Sequence, residues 1–216
     1  MNQKYVFLQA LIITIVVFNI GVFLGYKLEA SRIDKINEWY LESEMELLDQ
    51  RIQEIALDLV DLNCDAVIQE NINFADRIFQ EALTIRDYEE ANKINSDIIF
   101  QHKRYDLLRT LFWMESMKIK EKCNADYHNI VYLYQYNNVP LEKDAAQDVF
   151  SNFLSQIKQE KGNNVMLIPI AADNDLPSVN LLLDRYNITE LPVIFVDEKY
   201  KFESIDSLQN IKDYLN

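Results

Sequence analysis

Side chains able to do redox or metal chemistry are few in this chain: two cysteines, Cys64 and Cys123, and two histidines, His102 and His128, among 216 residues. The cysteines are not spaced C-x-x-C, and neither is expected at a helix start, where a thiol pKa falls and the thiolate becomes nucleophilic. The histidines lie apart from each other and from the cysteines, with no metal-ligand spacing, so neither is expected to bind anything. Three glycines in all leave no room for a glycine-rich phosphate or dinucleotide loop. No Ser-His-Asp arrangement or nucleophile elbow is visible. These absences disfavour an enzyme and predict neither metal nor cofactor. Asn187-Ile188-Thr189 fits a glycosylation sequon that is usable only on an exported chain.

The elements that would position the cysteines are helical. Leu28 to Lys122 contains neither glycine nor proline. Within it Leu41, Met45, Leu48, Ile52, Ile55, Leu59 and Leu62 recur at alternating spacings of four and three, a seam at heptad positions a and d. Glu44, Asp49, Arg51, Glu54, Asp58 and Asp61 fall off that seam. The seam packs either in cis against later helices or in trans as a homodimeric coiled coil. A first helix is expected from about Lys27 to Glu70, a break at Asn71-Ile72-Asn73 with Asn73 as N-cap, and a second break at Asn95-Ser96-Asp97 with Ser96 as N-cap. The chain then runs out, back and out again as a three-helix antiparallel bundle. Cys64, near the end of the first helix, and Cys123, at the end of the third, share one end. They can form a disulfide there, which would imply an oxidising compartment, or remain two unrelated buried thiols. Tyr105, Leu108, Leu111, Phe112, Trp113 and Met114 are expected to contact the first helix.

Tyr5 to Tyr26 carries no charge over 22 residues, and about 20 suffice to cross the hydrocarbon core. The run exceeds the apolar region of a signal peptide and no A-x-A-like site follows, so a retained single-pass anchor is favoured. Gly21 and Gly25 form a G-x-x-x-G pair that would let two such helices approach. Lys4 against Lys27, Arg32 and Lys35 leans toward a cytoplasmic body, whereas a disulfide argues for an extracytoplasmic one.

The region 127–216 changes character. Ile130 to Tyr136 reads as a strand, and Leu141 to Lys161 as a helix with Ala145, Val149, Phe153, Leu154 and Ile157 inward, ending at Gly162. Val165 to Ala171 reads as a doubly buried strand, and Leu176 to Tyr186 as a helix with Leu182 and Leu183 inward. Val193 to Val196 and Tyr200 to Glu203 form a hairpin around Asp197, Glu198 and Lys199, and Ser204 to Leu215 closes as a helix with Ile205, Leu208, Ile211 and Leu215 on one stripe. The order βαβαββα, with Glu190-Leu191-Pro192-Val193-Ile194 putting a proline just before the third strand, resembles the thioredoxin fold over the last two-fifths of the chain.

That resemblance implies a cis Leu191-Pro192 bond. Read from its residues alone, Pro192 merely starts an edge strand. Thioredoxin chemistry also needs a C-x-x-C at the first strand–helix junction, here Tyr136 to Asp144, where no residue is a redox nucleophile. Glu142 and Asp144 there read as first-turn acids stabilised by the helix dipole. No catalytic residue carries over. What the resemblance leaves is a groove for an extended polypeptide, formed by Asn137, Asn138, Val139, Pro140 and Leu141 together with Leu191, Pro192 and Val193.

The sequence therefore predicts a short tail (1–4), a transmembrane helix (5–26), an all-α helical stalk (27–122) and an α/β thioredoxin-like domain (127–216). This layout is similar to archaeal membrane-anchored thioredoxin-domain proteins, and the richness in Asn, Ile, Lys and Tyr suits an AT-rich genome. The leading expectation is a redox-inactive thioredoxin-like protein in the cell membrane, single-pass, with its body outside the cytoplasm, that binds a protein or peptide client as a scaffold or folding aid. A thiol-disulfide oxidoreductase using Cys64 and Cys123 or a partner's dithiol, and a structural coiled-coil tether, remain as alternatives. A net charge of −14 without a basic stripe argues against nucleic acid as a partner.

Overall fold

The computed structural model describes residues 3–59, 63–92 and 96–215. Three long helices come first: α1 (Gln3–Leu59), α2 (Cys64–Asn92) and α3 (Ser96–Cys123). They are followed by β1 (His128–Tyr134), α4 (Leu141–Lys161), β2 (Val165–Ala171), α5 (Pro177–Arg185), β3 (Val193–Val196), β4 (Tyr200–Phe202) and a 3₁₀ helix at Ile205–Tyr214. Phe7–Leu28 within α1 is long and apolar enough to cross a membrane.

The sheet has the order β2-β1-β3-β4, with β1 parallel to β2 and antiparallel to β3, and β3 antiparallel to β4. Successive side chains on a strand point to opposite faces, and in β1, β2 and β3 nearly every position is buried, so both faces need a cover. On one face Ile130, Tyr132, Leu167, Ile194 and Val196 meet Phe150, Phe153, Leu154 and Ile157 of α4 and Leu208 and Ile211 of the 3₁₀ helix. The other face, with Val131, Ile168 and Phe195, is covered by α2, α3 and α5. Phe74 of α2 meets Phe112 of α3 edge-on at 5.1 Å, and Trp113 stacks on Tyr186, which in turn packs on Phe195. Among the described contacts the aromatic residues of α3 meet α2 and the sheet side, where the sequence pointed to the first helix. The chain divides into two compact units at Glu42/Ser43, not at residues 122–127, so α2 and α3 belong to the same unit as the sheet and not to a separate stalk.

The first helix break also moves. Asn71-Ile72-Asn73 lies inside α2, where Asn71 is fully buried and donates through Nδ2 to Tyr127 Oη at 3.0 Å. Asparagine disfavours a helix interior by only some tenths of a kcal/mol, less than a buried hydrogen bond contributes. α1 instead ends at Leu59 and Asn63 caps α2, its Oδ1 accepting the Asp65 N–H at 2.9 Å. Of the second expected break, Asn95 lies outside the described residues and Ser96 opens α3. α3 closes with Asn124 at φ 50° and an Ala125 N–H to Lys120 O bond of 3.2 Å, a Schellman cap.

Cys64 therefore begins α2 rather than ending α1, yet the two cysteines still meet. They are bridged, with Cα atoms 5.4 Å apart at a sequence separation of 59. α4 matches its expected bounds and ends on Gly162 at φ 55°. Its inward face, however, is Gln147, Phe150, Phe153, Leu154 and Ile157, leaving Ala145 and Val149 exposed. In α5, Val179 is buried while Leu182 and Leu183 are only half-buried. The closing segment is a 3₁₀ helix, with Leu208, Ile211 and Leu215 inward and Ile205 exposed.

Cys64→Ser, which opens a loop of this length, is expected to cost about 4 kcal/mol of stability in the chain-entropy model. Chemical denaturation of the oxidised wild type against the variant checks this, and reduction of the wild type should reproduce the loss.

Candidate functional site

The candidate groove residues lie on two segments that the sheet register brings to one end. Leu133 of β1 pairs with Val193 of β3, so the chain leaving β1 emerges beside the chain entering β3. The Leu191-Pro192 bond is cis. Pro192 and Val193 are buried, Val139 and Leu191 half-buried, and Asn138, Pro140 and Leu141 exposed, Leu141 at 86 %. The expected residues therefore divide into a buried base and an exposed lip.

Their placement depends on residues that the sequence did not single out. After β2 the chain turns, and Asp173 takes two successive backbone N–H groups on its carboxylate, Tyr136 on Oδ1 and Asn137 on Oδ2, both at 2.7 Å. Asn137 Nδ2 returns bonds to Asp173 O at 3.2 Å and Asn174 Oδ1 at 3.0 Å. Gln147 of α4 holds the other side of the loop, accepting the Gln135 N–H at 2.7 Å and donating to Gln135 O at 3.0 Å. Asn138 can then sit at φ 48°, a left-handed conformation that asparagine tolerates. Pro140 occupies the N-cap of α4 without a side-chain cap bond, with Glu142 and Asp144 in the first turn as expected of dipole-stabilised acids.

Beneath this loop lies a buried polar cluster contributed by α3. The His102 ring stacks on Tyr136 at 3.8 Å, with its Nε2 3.1 Å from Tyr134 Oη and 3.4 Å from Asp106 Oδ2. Asp106, wholly buried, accepts from the Ala171 N–H at 3.0 Å and from Asn174 Nδ2 at 2.7 Å. Arg109 lies 3.7 Å from Asp106 Oδ1, donates to Pro169 O at 2.9 Å and covers the Tyr105 ring at 3.9 Å. Burial pushes the Asp106 carboxyl above its usual range, against the pull of His102 and Arg109. Burial likewise pushes the Tyr105 hydroxyl up. His102 is thus a member of a structural network, in contact with a loop of the candidate site.

At the opposite end of β1 the hairpin turn docks on α3. Asp197 and Glu198 both have positive φ, at 49° and 56°. Asp197 bonds Lys120 Nζ and His128 Nδ1, each at 2.6 Å, and accepts the Asn129 N–H at 3.0 Å. Glu198 accepts Trp113 Nε1 at 2.7 Å. Burial pushes the Asp197 carboxyl up, and the bonds from Lys120 and His128 more than reverse this, so the net shift is downward. Burial pushes Glu198 up. Asn129 Oδ1 accepts from Ser116 Oγ at 2.7 Å, extending the network to Tyr127, whose hydroxyl burial raises to about 12.

Among the described residues no group of three or more His, Cys, Asp or Glu is placed to hold a metal ion. The disulfide joins the start of α2 to the end of α3, outside the segments that form the candidate groove. The chain matches no family model, no curated protein and no solved structure.

Asp106→Asn is expected to destabilise by about 3–5 kcal/mol, because it leaves Arg109 as a buried charge without its anion and turns an amide toward the donor of Asn174. A lowered urea midpoint at unchanged m-value would record it. The lowered pKa of Asp197 gives stability that is complete above the unfolded carboxylate value of about 3.9 and lost as pH falls through the folded value. Asp197→Asn should therefore lower stability at neutral pH and flatten its decline below about pH 4, read by denaturation across that range.

Proposed function

We propose that this chain is a membrane-anchored protein whose sheet unit is thioredoxin-like and acts by binding an extended polypeptide, without sulfur chemistry of its own. The observation that carries the reading is the register that sets Val193, at the head of β3, beside Leu133 at the end of β1, so that Pro192 faces a β1–α4 loop pinned by Asp173 and lacking cysteine. The strand order β2-β1-β3-β4 and the helix crossover between the parallel β1 and β2 support it. Leu191 lies outside the β1–β3 ladder, which begins at Val193, so an extended chain has backbone beside Pro192 to pair with. Leu141 and Asn138 on the exposed lip would meet its side chains. Both cysteines are already joined to each other at the ends of α2 and α3, which favours binding over thiol exchange.

The apolar stretch Phe7–Leu28 supports a single-pass anchor, and the disulfide supports a body on the oxidising side of that membrane. A protein so built would hold unfolded or extended clients near the membrane surface as a scaffold or folding aid.

Photocrosslinking on the full chain tests this. A photoreactive residue at Leu141 should capture an unfolded client or an extended peptide, and Asp173→Ala, which frees the Tyr136 and Asn137 amides, should weaken capture about tenfold, equivalent to about 1.4 kcal/mol. Absence of any crosslink from Leu141 would sink the binding reading. Insulin reduction abolished by Cys64→Ser would replace it with an oxidoreductase.

A further inference from the structure

The seam of α1 is uncovered. Leu41, Met45, Leu48, Ile52 and Ile55 are between 49 and 66 % exposed, although their four-three spacing is that of a buried helical ridge. Leu59 is the last residue of α1, and Leu62 lies outside the described residues. Within the sheet-containing unit α1 uses a different face: Leu47 is buried, and Glu44 is held by the guanidinium of Arg104 on α3. At 100° per residue, position 44 stands about 60° and position 47 about 120° from the centre of the ridge, both on the same flank. The intramolecular contacts of the helix and its exposed ridge therefore do not compete.

We propose that this ridge is the interface of a parallel two-stranded coiled coil between two copies of the chain. A four-three ridge fits a helix of the same period lying alongside over the same length, and a second copy supplies it. Leu41, Leu48 and Ile55 take the d positions, and Met45 and Ile52 the a positions, with β-branched Ile52 following Leu48 as two-stranded coils favour. Phe7–Leu28 lies on the same helix as the ridge. On the anchor reading above, two copies in one membrane present the ridge at equal depth and in parallel, and confinement to the bilayer raises their effective concentration.

The flanking charges permit this pairing. In a parallel coil each g residue faces the e residue five positions on in the other helix, which sets Glu44 against Asp49 and Arg51 against Ala56. Glu44 against Asp49 is the like-charge pair, and Glu44 is the residue that Arg104 of its own chain neutralises; that hydrogen bond holds its carboxyl below the usual range. Arg104 thus offsets the charge on one side of that pair.

Sedimentation of the full chain, oxidised and in density-matched detergent, tests the proposal. The wild type should be a dimer, and Leu48→Glu with Ile52→Glu a monomer, with the disulfide and circular dichroism unchanged because both side chains are exposed. Gly21→Leu with Gly25→Leu should remain dimeric, and Arg104→Gln should dimerise several-fold more weakly, the deficit shrinking in high salt. A monomeric wild type, a dimer that survives the two glutamates, or one abolished by the two leucines would overturn it. An unchanged affinity for Arg104→Gln would overturn the parallel register. Flotation with liposomes reports the anchor separately, so a chain that fails to float yet dimerises through the ridge would refute the anchor and not the interface.

Discussion

A four-stranded sheet that is apolar on both faces cannot stand in water, and the need to cover the second face organises most of this molecule. α4 and the 3₁₀ helix cover one side, as a compact α/β unit would do unaided. The other side would leave Val131, Ile168 and Phe195 to α5 alone, a helix of nine residues with one buried apolar side chain. α2 and α3 complete that layer, which is why α3 carries Tyr105, Phe112, Trp113 and Ile119 in buried positions. Fully burying a side chain of this size contributes about 1.5–3 kcal/mol, so the layer is worth more than the polar contacts that align it.

Those polar contacts fix how the layer docks. Hydrophobic burial is non-directional, and aromatic side chains on a helix would accept several rotations against a sheet. Asp106 bonding the Ala171 N–H at one end and Glu198 receiving Trp113 Nε1 at the other allow one. The same α3 residues that fix the docking also touch the candidate site, through His102 against Tyr136 and through the shared partner Asn174. The loop from Gln135 to Pro140 thus rests on a rigid base, a condition for recognising an extended chain without a large ordering cost.

Much of this was legible in the sequence, and the misreadings have physical causes. The strands β2, β3 and β4 and the helix α4 announced themselves through β-branched runs, a polar turn and a terminal glycine, since their burial is dictated locally. Asn71-Ile72-Asn73 misled because asparagine signals a cap in water, whereas here Asn71 finds Tyr127 and Ser116 inside the protein. The separation of a stalk from a sheet domain failed for a related reason: helical period tells which face of α3 is apolar but not what it meets. Apolar helical spacing points Ala145 and Val149 inward, whereas Gln147 takes an inward place by bonding both backbone groups of Gln135. Asp173, Asp106 and His102 had no signal beyond their polarity. Their roles come from partners distant in sequence.

The shared layer also governs what can be cut or transplanted. A fragment beginning at Tyr127 would carry every strand yet leave one side of the sheet to α5 alone, and such a surface invites precipitation. The sheet portion is therefore not a separable cassette: the two helices before it belong to the same compact unit, which runs from Ser43 onward.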